Sequence, residues 1–292
     1  MGKYRSPHRL PGPLGDLLEG LRCARPQGAI LLLALVALIG CAGPLAGGSE
    51  PVNLRIAGST SMRPVLEELA GAYRVTHPNV QFQIRGGGSV LGLQDLQAGK
   101  ADIAAVSWKA ESEPIPPSVQ AAPIARDGLV ILVHLSNRVP GLTLLQLRAL
   151  YRGETLDWAT LGGPSGEPVV ISREDGSGDR KAFESLVMGG DRVTLNALVM
   201  PTAQAVVEYV ARHPAAVGYV SMAQLRDDAR ALLVEEVAPT PQQVQTGAYH
   251  LGRLLYLYLH SSPSPASRDF LDFVLSPAGQ AVVGRHHVPL RQ

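Results

Sequence analysis

The chain has 292 residues, 46% hydrophobic and 17% charged, with a formal net charge of +1. That balance suits an ordinary globular core and excludes a disordered or coiled-coil chain. Near-neutrality and the lack of a Lys/Arg run exclude a phosphate-tracking nucleic-acid surface, and the length allows two modest domains or one large one.

In chain order, Lys3, Arg5, Arg9, Arg22 and Arg25 precede the apolar run AILLLALVALIG (29–40). Such a run is short for a bilayer span but suits an export signal. It ends in LIGC (38–41), which resembles a bacterial lipobox and implies cleavage before Cys41 with lipid on its thiol. Residues 1–40 are therefore expected to be a lipoprotein signal peptide, a short buried helix being the alternative. Without them the chain holds 21 Lys+Arg against 23 Asp+Glu, a formal charge of −2, with Cys41 as its sole cysteine. No intramolecular disulfide is then possible, and the fold rests on its core. Residues 41–51, rich in Gly, Ala and Pro, read as a lipidated tether.

Beyond the tether, VNLRIAG (52–58) alternates as a strand does, and MRPVLEELAGAYRVTH (62–77) carries apolar residues at helical spacing. VQFQIRG (80–86) is a second strand, VLGLQDLQAG (90–99) a helix and ADIAAVS (101–107) a short apolar strand. This alternation predicts α/β layering on a largely parallel sheet. GLVILVHL (128–135) reads as a fully apolar strand and TLLQLRALYRG (143–153) as a helix closed by glycine. PVVISRE (168–174) is a strand, followed by the helix RKAFESLVMGG (180–190), the helix AQAVVEYVARHP (203–214) and the strand AVGYVS (216–221). GRLLYLYL (252–259) is a further strand, and SRDFLDFVLSPAGQAVVGRH (267–286) supplies C-terminal helices.

Three strand-to-helix junctions share one construction: GSTSM (58–62), GGGSV (86–90) and DGSGD (175–179). Each pairs glycine, which lets backbone approach a ligand, with a hydroxyl residue able to cap a helix. Singly, each is an ordinary helix start. Three of them beyond strand ends point to an anion, because free N–H groups of a first turn carry partial positive charge. Arg173, at the last of these strands, adds a permanent bidentate cation. No GxxxxGK[ST] is present, and GGGSVLG misses the dinucleotide spacing. No GxSxG or HExxH occurs, and His286–His287 lacks further ligands at metal spacing, so no enzyme, cofactor or metal is expected.

AGSTSMRPVLEELAGAY, GGGSVLGLQDLQAGKADIAA, ISREDGSG with AFE, AVGYVS and FVLSPAGQ follow an order that resembles the phosphate-binding lipoproteins of bacterial ABC transporters, the short PstS-type branch of the periplasmic binding proteins. The resemblance covers nearly everything from residue 52 onward. It implies a two-lobed, type II α/β fold in which each lobe is a mixed, mainly parallel sheet flanked by helices. Lobe 1 would comprise 52–127 and 258–292 and lobe 2 residues 128–257, with crossings at 128–135 and 250–259. The ligand residues it implies are Thr60, Ser61, Ser89 and Ser107 on one side and Arg173, Asp175, Ser177, Gly178 and Asp179 on the other. The partners it implies are inorganic phosphate, an ABC permease and the membrane reached through Cys41. A monomer is expected, with no nucleic acid and an extracytoplasmic location.

Asp175 is expected to accept a hydrogen bond from the protonated oxygen of hydrogen phosphate, a proton that sulfate lacks. Two positions depart from the family pattern. Asp179 stands where many relatives carry threonine, as first-turn dipole stabilisation or as a carboxylate in the cleft. Trp108 stands where relatives carry aspartate or arginine, either walling the cleft or packing. The alternatives are a receptor for sulfate, molybdate or tungstate, a non-transporting sensor or scaffold lipoprotein, and an extracytoplasmic hydrolase.

Overall fold

The computed structural model describes residues 51–108 and 116–290. The expected signal peptide, Cys41 and the tether up to residue 50 lie outside the described residues. The strands are β1 (Val52–Gly58), β2 (Val80–Arg85), β3 (Ile103–Val106), β4 (Val119–His134), β5 (Gly141–Leu142), β6 (Val169–Arg173), β7 (Leu198–Met200), β8 (Ala216–Ser221), β9 (Ala229–Ala231), β10 (Leu233–Val234), β11 (Gly252–His260) and β12 (Val288–Pro289). The helices are α1 (Arg63–Arg74), α2 (Ser89–Gln97), α3 (Leu144–Arg152), α4 (Gly178–Phe183), α5 (Ala203–Arg212), α6 (Pro241–Thr246), α7 (Pro265–Leu275) and α8 (Pro277–Val283).

The strand order β2-β1-β3-β11-β4-β8-β6-β7 divides at β4 into two lobes of an α/β fold. In the first, β1 pairs in parallel with β2 and β3, while β11 runs antiparallel to β3. Helix α1 buries Val65, Leu66, Leu69 and Tyr73 at the spacing of one helical face, against the Leu54, Ile56 and Ile103 side of the sheet. In the second lobe β6 pairs in parallel with β7 and β8. The short strands β5 and β10 pair separately, and β9 and β12 attach to β4.

Strand β4 belongs to both lobes. Its first half pairs antiparallel with β11, from Val119 opposite His260 to Gly128 opposite Gly252, and its second half with β8, from Leu129 to Val133. Leu129, Ile131 and Val133 enter one core and Val130 and Leu132 another. Burial on both faces is why residues 128–133 show no polar alternation. The pairing with β11 shifts register between Leu255 and Tyr256, opposite Pro123, which has no N–H to give to a ladder.

The chain passes between lobes at Asp127–Gly128 and returns at Leu251–Gly252, where the Leu129 N–H donates to the Leu251 carbonyl at 2.9 Å. Both passages lie at the N-terminal ends of the stretches expected to cross, and residues 252–259 themselves pair within the first lobe.

The C-terminal helical stretch divides at Ser276 and Pro277: Ser276 ends α7 and caps α8 through the Gly279 N–H. Helix α3 ends on Gly153 at φ +79°, as its sequence predicts, and the structure adds a reciprocal capping box, Thr143 with Gln146.

Candidate functional site

The three Gly–hydroxyl junctions come together where the lobes face each other. The first becomes a 3-10 turn (Thr60–Met62) leading into α1; the second places Ser89 at the first position of α2; the third makes Ser177 the cap of α4. Ser107 follows the end of β3 beside them. Its backbone N–H donates to Ser89 Oγ at 3.2 Å, Ser59 Oγ donates to Ser107 Oγ at 2.9 Å, and Ser59 and Ser61 share a hydrogen bond of 2.9 Å. All four serines are buried.

Opposite this hydroxyl chain stands a buried ion cluster. Arg173 is 1% exposed and Asp179 2%. Arg173 Nη1 donates to Asp179 at 3.2 Å, and its other nitrogens reach the Glu174 carboxylate at 2.8 and 3.0 Å and Thr60 Oγ1 at 3.3 Å. Asp179 also accepts from Ser61 Oγ at 3.1 Å and from Arg253 Nη2 at 2.6 Å. Thr60 and Ser61 belong to the first lobe and Arg173 and Asp179 to the second, so these contacts close the cleft.

Arg253, at the start of β11, was not anticipated from the sequence. Its Nε and Nη2 donate to one Asp127 oxygen at 2.9 and 2.7 Å, and the other Asp127 oxygen accepts from Ser221 at 2.8 Å. His287 Nδ1 lies 3.3 Å from that second oxygen. Complete burial pushes the Asp127 carboxyl upward, but the charges and hydrogen bonds of Arg253 and His287 outweigh it and bring the group down to about 2. Burial acts to lower Arg253 in turn, yet the two carboxylates leave it raised. The cluster therefore runs unbroken from the passage between lobes to the cleft.

The backbone allows this closeness. A side chain on Gly178 would collide with Ser89 Oγ and Ser107 Oγ, so only glycine lets the α4 start approach the serines. Gly176 turns at φ +87°, and its carbonyl accepts from the Val90 N–H at 3.3 Å across the cleft.

Thr60, Ser61, Ser89, Ser107, Arg173, Ser177, Gly178 and Asp179 thus gather in one place. Asp175 does not join them: its carboxylate is 94% exposed and pairs with Arg180 Nη1 at 2.7 Å. The expectation that Asp175 faces the ligand is corrected by this geometry. The turn at Gly176 sends Asp175 outward, and Asp179, inside the first turn of α4, is the carboxylate in the cleft. Trp108 does both things left open for it: it packs against the second-lobe core and lines a cavity between the lobes. His286 and His287 separate, to Glu68 and Asp127 respectively.

Residues 46–278 match the model of the PBP superfamily domain. The chain is 26% identical over 266 residues to the phosphate-binding protein PstS of Bacillus subtilis, covering 85% of this chain and 87% of that one. It is also similar to a Clostridium perfringens structure described as a phosphate ABC transporter substrate-binding protein with bound phosphate (31% identity, TM-score 0.78, 82% of this chain and 100% of that one). An ABC-type phosphate transport receptor from Vibrio cholerae superposes with a TM-score of 0.70 at 30% identity, covering 80% and 99%.

Proposed function

The chain belongs to the PBP superfamily, and from that premise we propose that it is an extracytoplasmic solute-binding protein that captures inorganic phosphate between its lobes and delivers it to an ABC permease. In this reading Cys41 carries the lipid that holds it to a membrane, and the protein performs no covalent chemistry. Among the described residues no helix is long and apolar enough to cross a membrane.

One observation carries the ligand assignment. The Ser61 hydroxyl from one lobe, the Arg253 guanidinium at the hinge and the Arg173 guanidinium on the other lobe converge on a single buried oxygen pair, that of Asp179. Such a donor set is that of an oxyanion site. Arg173 and Arg253 are also paired with Glu174 and Asp127, so the anion is held by directed donors rather than by surplus positive charge, and the Asp179 carboxylate selects which anion enters. Asp179 accepts a hydrogen bond from the ligand's O–H, which hydrogen phosphate has and sulfate lacks. A site built around that proton rejects the analogue without it. The role that the sequence pattern suggested for Asp175 thus passes to Asp179. Thr60, Ser61, Ser89, Ser107 and the Gly178 backbone supply neutral donors, and the lobes close because each holds donors that the other does not.

Calorimetry on ligand-stripped protein tests this. Phosphate is expected to bind with sulfate silent at neutral pH, and Asp179→Asn to admit sulfate. No binding of phosphate by the wild type would overturn the assignment; sulfate, molybdate or tungstate binding in its place would identify a different oxyanion. Unchanged selectivity in Asp179→Asn would remove the carboxylate's role.

A further inference from the structure

The polar contacts across the cleft are joined by an aromatic one. Trp108 leaves the first lobe directly after Ser107, yet its ring packs against the core of the second lobe. It lines one cavity together with Ala182, Ser185 and Leu186 and another together with Asp175, Gly176 and Lys181, all six from the second lobe. Lys181 Nζ stands 6.0 Å from the centre of the indole ring, at cation–π distance. The same ammonium lies 3.9 Å from the Glu184 carboxylate, a loose pairing within its own lobe.

Helical spacing explains the fit. Gly178, Lys181 and Ala182 stand at i, i+3 and i+4 of α4, on one face of that helix. Gly178 approaches the Ser89 and Ser107 hydroxyls, and the next turn meets the residue that follows Ser107. That turn offers the small Ala182, which leaves room for an indole, and Lys181, whose charge faces it. The energetic character of this contact differs from that of the polar ones. A hydroxyl that crosses the cleft exchanges water for a protein partner, so its net contribution to closure is small. An indole that leaves water for an apolar wall gains in proportion to the area covered, with or without an anion.

We propose that Trp108, clasped by Lys181, is a positioning residue for anion binding: it biases the lobes toward closure and so sets how long the anion stays, while taking no part in choosing it. Apparent affinity scales with the populated fraction of the binding-competent state, which here is the closed one. The inference rests on the phosphate reading of the cluster, to which it adds a cause of retention.

The test has two arms. Solution scattering on ligand-stripped protein compares the wild type with Trp108→Ala and Lys181→Met. Trp108→Ala is expected to raise the radius of gyration as the lobes part, and Lys181→Met to raise it less. In the second arm, radiolabelled inorganic phosphate is chased with excess unlabelled phosphate. Dissociation should quicken about tenfold in Trp108→Ala and about threefold in Lys181→Met, with Trp108→Phe staying within about threefold of the wild type. Lys181→Met added to Trp108→Ala should change nothing further, because its partner is gone. Equal radii in the wild type and Trp108→Ala, or additive effects in the double variant, would overturn the latch. A changed preference for phosphate over sulfate in Trp108→Ala would place the ring on the ligand and overturn it as well. The scattering arm needs no ligand. A wild type that binds no phosphate therefore overturns the proposed function, and the radii alone then decide the latch.

Discussion

The two faces of the cleft are built from different chemistry. The first lobe presents neutral hydroxyls, those of Thr60, Ser61, Ser89 and Ser107, whereas the second presents Arg173 and Asp179, already paired with each other. Arg253 stands at the hinge between them, anchored to Asp127. The difference separates what persists from what changes. The Arg173–Asp179 pair lies within one lobe and survives opening, while Ser61–Asp179 and Thr60–Arg173 cross the cleft and must break. The charges are thus paired within the cluster itself, and closure exchanges the two hydroxyl contacts and the bond from the Val90 N–H to the Gly176 carbonyl. A face of unpaired charges would have to be desolvated at each closure, at a cost of several kcal/mol per ion.

The sharpest way to break this comparison is to remove the cation that joins the two regions. Arg253→Met leaves Asp127 and Asp179 buried without that partner, and loss of one member of a buried ion pair costs about 3–5 kcal/mol. Arg63→Met, which removes an exposed pair with Glu67, should cost at most about 1 kcal/mol. Urea unfolding midpoints measure both. Equal midpoints for the two variants would show that the hinge cluster contributes no more than a surface pair.

The acid end of the stability profile sharpens the same point. Asp127 titrates at about 2 when folded, against an ordinary value of 3.8. A depressed carboxyl stabilises the fold above its unfolded value and loses that contribution as pH falls through the folded one. The window is therefore about pH 4 down to pH 2, and the amount about 2 kcal/mol. Unfolding free energies measured from pH 5 to pH 2 should fall more steeply in the wild type than in Asp127→Asn. Parallel profiles would mean that Asp127 is not held as an ion by Arg253 and His287.

A smaller effect is expected where the faces touch. Gly178→Ala places a methyl group on Ser89 Oγ and Ser107 Oγ, which blocks closure but breaks nothing within either lobe. Phosphate affinity should fall at least about tenfold, roughly 1.4 kcal/mol, with the unfolding midpoint little changed. Unaltered affinity would show that the lobes need not approach this closely to hold the ligand.

The sequence made much of this architecture readable because local physics decides it. The period of 3.6 in α1, the glycine end of α3 and the two-sided burial of β4 each leave a pattern within a dozen residues. The hydroxyl junctions were visible for the same reason, since Gly and Ser at a helix start are local choices. Arg253 was not visible. Its partner Asp127 lies 126 residues away, and one arginine opening an apolar strand looks like an ordinary snorkelling residue. Side-chain direction was equally hidden. Asp175 and Asp179 sit four positions apart in one motif, and only the Gly176 turn decides which one enters the cleft. The short strands β5, β7, β9 and β10 also escaped reading, being two or three residues long and fixed by pairing rather than by propensity.

The smallest expected effect tests that last distinction. Asp175→Asn removes a carboxylate that is 94% exposed and touches only the rim arginine Arg180. Arg180 keeps its bond to Glu184 at 2.8 Å and its contact with the Arg173 carbonyl at 3.1 Å, so the variant leaves no buried group unpaired. Surface pairs of this kind contribute about 0–1 kcal/mol, so stability should be almost unmoved and the preference for phosphate over sulfate should hold. Asp179→Asn in parallel should change that preference. If Asp175→Asn admits sulfate and Asp179→Asn does not, Asp175 is the carboxylate that reads the ligand's proton and Asp179 serves only its buried ion cluster.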